Sequence, residues 1–223
     1  MAQFSIFAQE NRHNMKFVAL LFTFIAFTSF GQDSKAQGIL DKLSKKMKSQ
    51  TSFYIEFSST MKGDGFSDSQ TGKGWVKGDK YYASFGENTM ISNGSKTWTV
   101  VKEEKTVYVS DADDEDEDMV NPRKLMTLWE SGFKNQYVKE TTLSGTAVHV
   151  INLYPKSAST ADYHTVALYV SSSSNELKKV IMKMKDGTSM TFRMTKFTSN
   201  PSVSDSKFVF DKTKYPGYSV VTD

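Results

Sequence analysis

The sequence of 223 residues contains no cysteine and only three arginines, and each shortage excludes classes of protein. Without cysteine the chain has no disulfide framework, no cysteine-ligated zinc site, no thiol nucleophile and no cysteine-anchored lipid. Nucleic-acid binding usually needs a basic face with arginines, whereas here 28 basic residues nearly balance 25 acidic ones. Hydrophobic residues make up 38% of the chain. This composition favours a globular protein over a disordered or polytopic membrane protein.

One uncharged apolar run, at residues 17–27, predicts where the protein is located. Met15 and Lys16 precede the run, and small residues follow at the −3 and −1 positions of a cleavage site after Gly31. This arrangement is typical of a secretory signal peptide. A membrane span is the alternative, but residues 17–30 are fewer than the roughly 20 that a spanning helix needs. We therefore expect translation to start at Met15, residues 1–31 to be removed, and residues 32–223 to form one exported, soluble domain.

The hydrophobic pattern changes from helical to extended near residue 50. Apolar residues at a spacing of three to four predict an amphipathic helix over 34–48, with lysines on its other face. Alternating residues between turn signals then predict eleven strands, at 52–62, 71–77, 80–85, 89–92, 96–101, 105–110, 136–143, 146–154, 163–171, 176–184 and 189–197. Because most strands are joined by hairpins, we expect one large antiparallel sheet.

The succession of strands is interrupted after the sixth predicted strand. Residues 111–118 are acidic except for one alanine, and Asn121 and Pro122 then resemble the start of a helix. The acidic run lacks the alternating ligands and central glycine of a calcium loop, so a solvated loop is favoured over contact with a basic partner. We expect the following short helix to cover one mouth or face of the sheet, through Leu125, Met126, Leu128, Trp129 and Phe133.

Catalytic and metal-binding motifs are absent from the sequence. His149 and His164 lie in neighbouring predicted strands without a third ligand at a suitable spacing, so ordinary strand histidines are favoured over a metal pair. There is no nucleophile elbow, zinc-protease motif or phosphate-binding loop. A pair of carboxylates suited to glycoside chemistry stays open, because distances between acidic residues are not visible in a sequence. We expect no enzymatic activity, no catalytic residue, no metal and no cofactor.

Several segments of the chain resemble the LolA family of periplasmic lipoprotein carriers. Gly74-Trp75-Val76-Lys77, the next strand with Tyr81 and Tyr82, and the hairpin SNGSKTW at 92–98 match the family in order and spacing. The opening helix, the segment from Asn121 to Phe133 and the closing segment at 208–220 also fall where the family has them. The resemblance covers essentially the whole predicted mature chain.

The resemblance implies an α+β fold that is predominantly antiparallel β: an incomplete, half-open β-barrel of about eleven strands with short helices forming a lid. It implies a monomeric periplasmic chaperone that binds acyl chains of lipoproteins in an apolar cavity. Its partners would be acylated lipoproteins, an inner-membrane ABC transporter that supplies them and an outer-membrane acceptor. Trp75 and Trp98 match two sheet tryptophans of the family, and Tyr82 matches a cavity aromatic. The cargo-contacting residues expected here are Tyr82, Trp98, Leu125, Trp129 and Phe133.

One departure from the family concerns the opening mechanism. Many members carry Arg-Pro directly after the W-V-K strand, and that arginine holds the helical lid shut, whereas this chain has Gly78 and Asp79. Either the latch is missing, or Lys77 or Lys80 replaces it. Two alternative functions also remain: a periplasmic module that senses a lipid or a protein on the same half-barrel, and an enzyme with an unrecognised carboxylate pair.

Overall fold

The computed structural model describes residues 33–112 and 127–222, all of which lie in one compact unit. These residues form one α-helix, α1 (Ser34–Lys48), and twelve strands. The strands are β1 (Ser52–Gly63), β2 (Phe66–Lys77), β3 (Lys80–Phe85), β4 (Asn88–Ser92), β5 (Lys96–Val101), β6 (Thr106–Asp111), β7 (Phe133–Leu143), β8 (Thr146–Pro155), β9 (Tyr163–Ser171), β10 (Leu177–Met184), β11 (Ser189–Ser199) and β12 (Ser219–Thr222). Short 3-10 helices lie at Leu128–Glu130, Asp205–Phe208 and Lys212–Lys214.

Helix α1 has the bounds that its local sequence signals predict. The carboxylate of Asp33 caps the helix by accepting hydrogen bonds from the backbone N–H groups of Lys35 and Ala36, at 3.0 and 3.1 Å. Lysines in the last turn stabilise the C-terminus, where the helix dipole is negative. The stripe at a spacing of three to four is buried and comprises Ala36, Ile39, Leu40, Leu43 and Met47.

All twelve strands belong to one sheet, in the order β12-β6-β5-β4-β3-β2-β1-β11-β10-β9-β8-β7. Neighbouring strands are antiparallel, except that β12 pairs with β6 in parallel. In the part of the chain that the structure describes, β12 and β7 are the two edges, and the sheet does not close into a barrel. The predicted half-open, mainly antiparallel fold is confirmed, with one strand more than expected.

Three strands differ most from the prediction. Strand β7 begins at Phe133 rather than at residue 136, so Phe133 belongs to the sheet and not to the short covering helix. Strand β12 has only four residues, all of them exposed, so its side chains show no periodicity. It pairs in parallel with β6, which is far away in sequence, so no hairpin turn predicts it either. Strand β2 begins at Phe66 rather than at residue 71 because the polar first half of β2 pairs with β1. Alternation is not visible in a segment whose side chains are exposed on both faces.

The two faces of the sheet carry different layers. Adjacent residues in a strand point to opposite sides, so Tyr81 and Tyr82 of β3 belong to different faces. Tyr81 is paired in register with Val76, which pairs in turn with Phe53, and all three belong to the core cluster that includes the buried stripe of α1. We call this side the inner face and the side of Tyr82 the outer face.

On the outer face, the C-terminal segment (residues 201–222) packs against the sheet. Its Phe208 is fully buried, and the ring of Phe210 stacks on that of Trp98 with 6.0 Å between centroids. The segment then adds β12 to the edge of the sheet beside β6. Consequently α1 covers part of one face of the sheet, and the C-terminal segment covers part of the other.

Part of the predicted lid is outside the described residues. The helix expected from Asn121 and Pro122 and most of the acidic run at 111–118 fall there. Of that region the structure describes the 3-10 helix at Leu128–Glu130. None of the helices within 33–112 and 127–222 combines the length and apolar character needed to cross a bilayer.

Candidate functional site

The inner face carries a continuous apolar wall across β1, β10 and β11. Phe57 of β1 pairs with Met194 of β11, and Met61 pairs with Met190. Met190 in turn pairs with Met182 of β10. Because residues paired in register share a face, large apolar side chains follow one another across three strands.

The wall differs from the rest of the core in its exposure to solvent. Below α1 the core residues are almost fully buried, for example Leu43 and Leu168. Away from the helix the apolar residues are only half-buried, and Met61 is 40% exposed. We call two kinds of residue together the inner wall: the buried Phe57, and the more exposed Met61, Phe85, Met184, Met190, Phe192, Met194 and Phe197. Half-exposed apolar surface in direct contact with a core is typical of a binding site for an apolar ligand.

Aromatic contacts organise the inner wall. The ring of Phe57 lies 5.9 Å from that of Phe85 and 6.2 Å from that of Phe192. Gly72 lies between Phe57 and Phe85 in register, and a Cβ atom there would come within 2.3 Å of the Phe57 ring. The glycine therefore leaves the space that the Phe57 ring occupies on the sheet.

An open groove lies beside the first residues of β7 and β9 and the last residues of β8 and β10. Its volume is about 760 Å³, within the usual range for small-molecule sites. Phe133 and Tyr163 form part of its lining, with 6.2 Å between their stacked rings, and burial raises the pKa of the Tyr163 hydroxyl. Met184 of the inner wall also lines this groove, so groove and wall are continuous.

Polar contacts hold the first turn of α1 against the edge strand β7. Asp33 accepts a third hydrogen bond, from the backbone N–H of Tyr137 at 2.8 Å. This bond, followed by those from Ala36 and Lys35, holds the pKa of the Asp33 carboxyl below its usual value. One turn further along, Asn135 donates a hydrogen bond to Gln37 at 2.8 Å.

The C-terminal half of α1 is held by the 3-10 helix and by the region between β9 and β10. The indole Nε1–H of Trp129 donates to Ser44 Oγ, and Lys48 forms an ion pair with Glu130 at 2.9 Å. Lys46 forms an ion pair with Glu176 at 3.0 Å. Burial opposes ionisation of Glu176, but hydrogen bonds from Lys178 and Lys46 outweigh it and lower the pKa of this carboxyl.

The five residues expected to contact cargo fall in three places. Trp129 and Phe133 belong to the inner-face cluster and are 5% and 8% exposed. Tyr82 and Trp98 lie on the outer face, because Tyr82 pairs with Ile91, which pairs with Trp98, and these side chains face away from α1. Leu125 lies outside the described residues. The structure therefore brings two of the five together and places two others on the opposite side of the sheet.

Tyr82 and Trp98 contact the C-terminal segment instead. The ammonium of Lys207 lies 4.0 Å from the ring centroid of Tyr82 and 4.1 Å from that of Trp75. These distances are typical of cation–π contacts. Burial, with the nearby charges of other lysines, lowers the pKa of Lys207.

The two lysines considered as replacements for the arginine latch bind the C-terminal segment as well. Lys77 and Lys80 contact the two carboxylate oxygens of Asp205 at 2.7 and 3.2 Å. Both hydrogen bonds lower the pKa of Asp205. Gly78 has a φ of +57°, as the tight turn between the two lysines requires. Within the described residues these lysines fasten the C-terminal segment rather than a lid over the inner face.

Sequence reasoning did not select the residues of the inner wall as the site. The alternating Phe53, Ile55 and Phe57 and the recurring methionines of β10 and β11 were the available signals. A strand that faces a filled core has the same alternation as one that faces a cavity, so periodicity does not distinguish them. No group of three or more histidines and carboxylates within residues 33–112 and 127–222 is placed to bind a metal.

A family model described as outer membrane lipoprotein carrier protein LolA matches residues 80–211, more than half of the chain. None of the curated proteins matches the sequence significantly. Among solved structures, an uncharacterized conserved protein from Thermus thermophilus has a TM-score of 0.58 at 9% identity, over 85% of this chain and 99% of that one. A LolA superfamily protein from Nitrosomonas europaea has a TM-score of 0.44 at 14% identity, over 78% and 97% of the two chains. Lipoprotein LppX from Mycobacterium tuberculosis has a TM-score of 0.46 at 12% identity, over 77% and 100%. At 9% identity, the similarity to the Thermus thermophilus protein indicates a shared fold and nothing finer.

Proposed function

The chain belongs to the LolA family of outer membrane lipoprotein carriers, and from this premise we propose that it binds the acyl chains of lipoproteins and carries them from the inner to the outer membrane. The observation that carries the proposal is the half-exposed inner wall of phenylalanines and methionines. This function places the protein in the periplasm as a monomer. Its partners are acylated lipoproteins, an inner-membrane ABC transporter that releases them and an outer-membrane acceptor.

The physical need for such a carrier follows from the cost of exposing hydrocarbon to water. Each methylene is worth about 0.8 kcal/mol, so a chain of about sixteen carbons costs on the order of 12 kcal/mol to expose. Burial on an apolar wall avoids this cost without any catalytic group. Methionine suits such a wall because its unbranched, polarisable side chain adapts to ligands of different shape.

The structure supports a revised set of cargo-contacting residues. Trp129 and Phe133 remain in the proposal because they lie on the inner face, and Phe133 also lines the open groove. Leu125 remains as part of the segment that precedes Trp129. The residues of the inner wall are added to them, since their apolar surface is the part of this face that stays accessible. Tyr82 and Trp98 are assigned to holding the C-terminal segment.

A pair of matched variants tests the site. M190Q/M194Q keeps the length of two inner-wall side chains but makes them polar. T191Q/T198Q introduces the same residue type at two outer-face positions of β11, since Thr191 pairs with Thr60 and Thr198 with Tyr54. We expect M190Q/M194Q to bind a fluorescent diacylated lipopeptide at least about tenfold more weakly, because apolar contact area is lost. The control should bind like the unmodified protein. Equal affinity of both variants, with circular dichroism showing both folded, would refute the assignment.

Depletion in the native cell separates transport from sensing. Loss of a carrier leaves lipoproteins in the inner membrane, which membrane fractionation detects directly. If their distribution stays unchanged while the purified protein still binds acyl chains, the protein binds lipid for another purpose, such as signalling.

A further inference from the structure

The solvent-facing side of α1 carries a concentrated positive charge. The helix contains five lysines, one aspartate and no arginine in fifteen residues. Its apolar stripe is buried, so the charged residues form the outer surface of the layer that covers the inner face. Lys45 is two residues from buried Leu43, which on a helix places it on the opposite side of the helix.

Only part of this charge is neutralised by neighbouring elements. Lys46 pairs with Glu176, and Lys48 pairs with Glu130. Lys42 and Lys45 are exposed and have no acidic partner within residues 33–112 and 127–222. The one acidic residue of the helix, Asp41, accepts a hydrogen bond from Gln37.

Helix stability does not account for every lysine of α1. The helix dipole favours cations in the last turn, which explains Lys45, Lys46 and Lys48. That effect is confined to the end of the helix, so it does not explain Lys42. An arginine-free set of flexible, strongly hydrated lysines suits diffuse attraction to many anionic groups rather than bidentate recognition of one carboxylate.

We propose that the lysine face of α1 binds an anionic phospholipid membrane surface. The face is formed by Lys42 and Lys45 and is flanked by Lys35, which lies over the ring of Tyr137, and by Lys48, which is paired with Glu130. Lysines clustered on an amphipathic helix are attracted to anionic headgroups by long-range electrostatics. Since the apolar stripe of α1 remains in the core, the contact is electrostatic and reversible and does not insert the helix. Docking in this way turns the helix-covered side of the protein towards the bilayer. The inference rests on the charge of α1 and does not depend on acyl-chain binding.

Vesicle sedimentation tests the proposal with the full-length mature protein. We expect the protein to pellet with vesicles of phosphatidylcholine and phosphatidylglycerol at low salt, to be released by sodium chloride, and not to bind pure phosphatidylcholine. K42Q/K45Q should weaken binding about 30-fold, equivalent to about 1 kcal/mol for each lysine. K62Q/K183Q is the control and removes the same number of charges. Lys62 and Lys183 are also exposed, but they lie on strands, next to the last residues of β1 and β10, and not on α1.

Four outcomes decide the proposal. A large loss with K42Q/K45Q and little loss with K62Q/K183Q supports it. Equal loss with both variants means that only net charge matters and overturns the assignment to α1. The absence of binding to anionic vesicles overturns it as well. Binding to immobilised polyglutamate without binding to vesicles would assign the face to an acidic protein instead. Uptake of the fluorescent lipopeptide by K42Q/K45Q should be unchanged, which keeps this test separate from that of the acyl site.

Discussion

The indole Nε1–H of Trp129 donates a hydrogen bond to Ser44 Oγ over 2.7 Å. This bond joins the 3-10 helix that precedes β7 to the C-terminal half of α1. Trp129 is 5% exposed, so its N–H has little access to water as an alternative partner. A buried donor of this kind needs a protein acceptor, and the hydroxyl of Ser44 supplies it.

Replacement of Ser44 by alanine should therefore destabilise the protein by about 1–3 kcal/mol, because the indole N–H is left buried without an acceptor. Urea unfolding followed by fluorescence measures the change. In a W129F background the donor is already absent, and the same replacement should cost much less. If S44A costs the same in both backgrounds, the hydrogen bond does not contribute to stability.

Gly72 is predicted to be intolerant of any side chain. A Cβ atom at this position would approach the Phe57 ring to 2.3 Å, so Gly72→Ala should displace Phe57 and cost about 1–3 kcal/mol. It should also weaken lipopeptide binding, since Phe57 belongs to the inner wall. Gly38→Ala is the matched control: nothing lies within 4 Å of its Cβ position, and alanine inside α1 should stabilise the protein by about 0.5–1 kcal/mol. A neutral effect of Gly72→Ala in thermal unfolding would contradict the packing described here.

Asp205 should contribute to the pH dependence of stability. Its pKa lies below the ordinary value of 3.8 because Lys77 and Lys80 bind the ionised form. A lowered pKa in the folded state means that the contribution is complete above the unfolded pKa and is lost as the pH falls through the folded pKa. Asp205→Asn should remove this component, so its unfolding curves should depend less on pH in the acidic range. Because the group is exposed, the effect should be small and should weaken with added salt.

Substitution of Trp98 separates the two faces of the sheet. Trp98→Leu removes the stacking on Phe210 and should cost about 1 kcal/mol, and proteolysis should cut the C-terminal segment sooner. Binding of the fluorescent lipopeptide should stay close to that of the unmodified protein, unlike binding by M190Q/M194Q. Loss of binding by a folded Trp98→Leu variant would return Trp98 to the cargo site and argue against the inner wall.

Local features were predictable where a short stretch of sequence contains all the relevant information. The bounds of α1 follow from the Asp33 cap, the apolar spacing and the terminal lysines, all within one segment. Strands β3, β5 and β9 likewise have the bounds expected from alternation and turn residues. The sequence offered Lys77 or Lys80 as a replacement for the arginine latch, but their partner in the structure, Asp205, is far away in sequence.

By itself, the amino-acid sequence determined the helix and eleven of the twelve described strands, because period, capping and turn chemistry act over a few residues. The family followed from the resemblance of short motifs and from the family model. Only the tertiary structure decided which side of each strand faces α1 and which faces the C-terminal segment. Alternation assigns Tyr81 and Tyr82 to opposite faces, but both faces of β3 are covered, one beside α1 and the other by the C-terminal segment. The side of the sheet on which Tyr82 lies is therefore defined by its contact with Lys207, more than a hundred residues away, and no local pattern specifies such a contact.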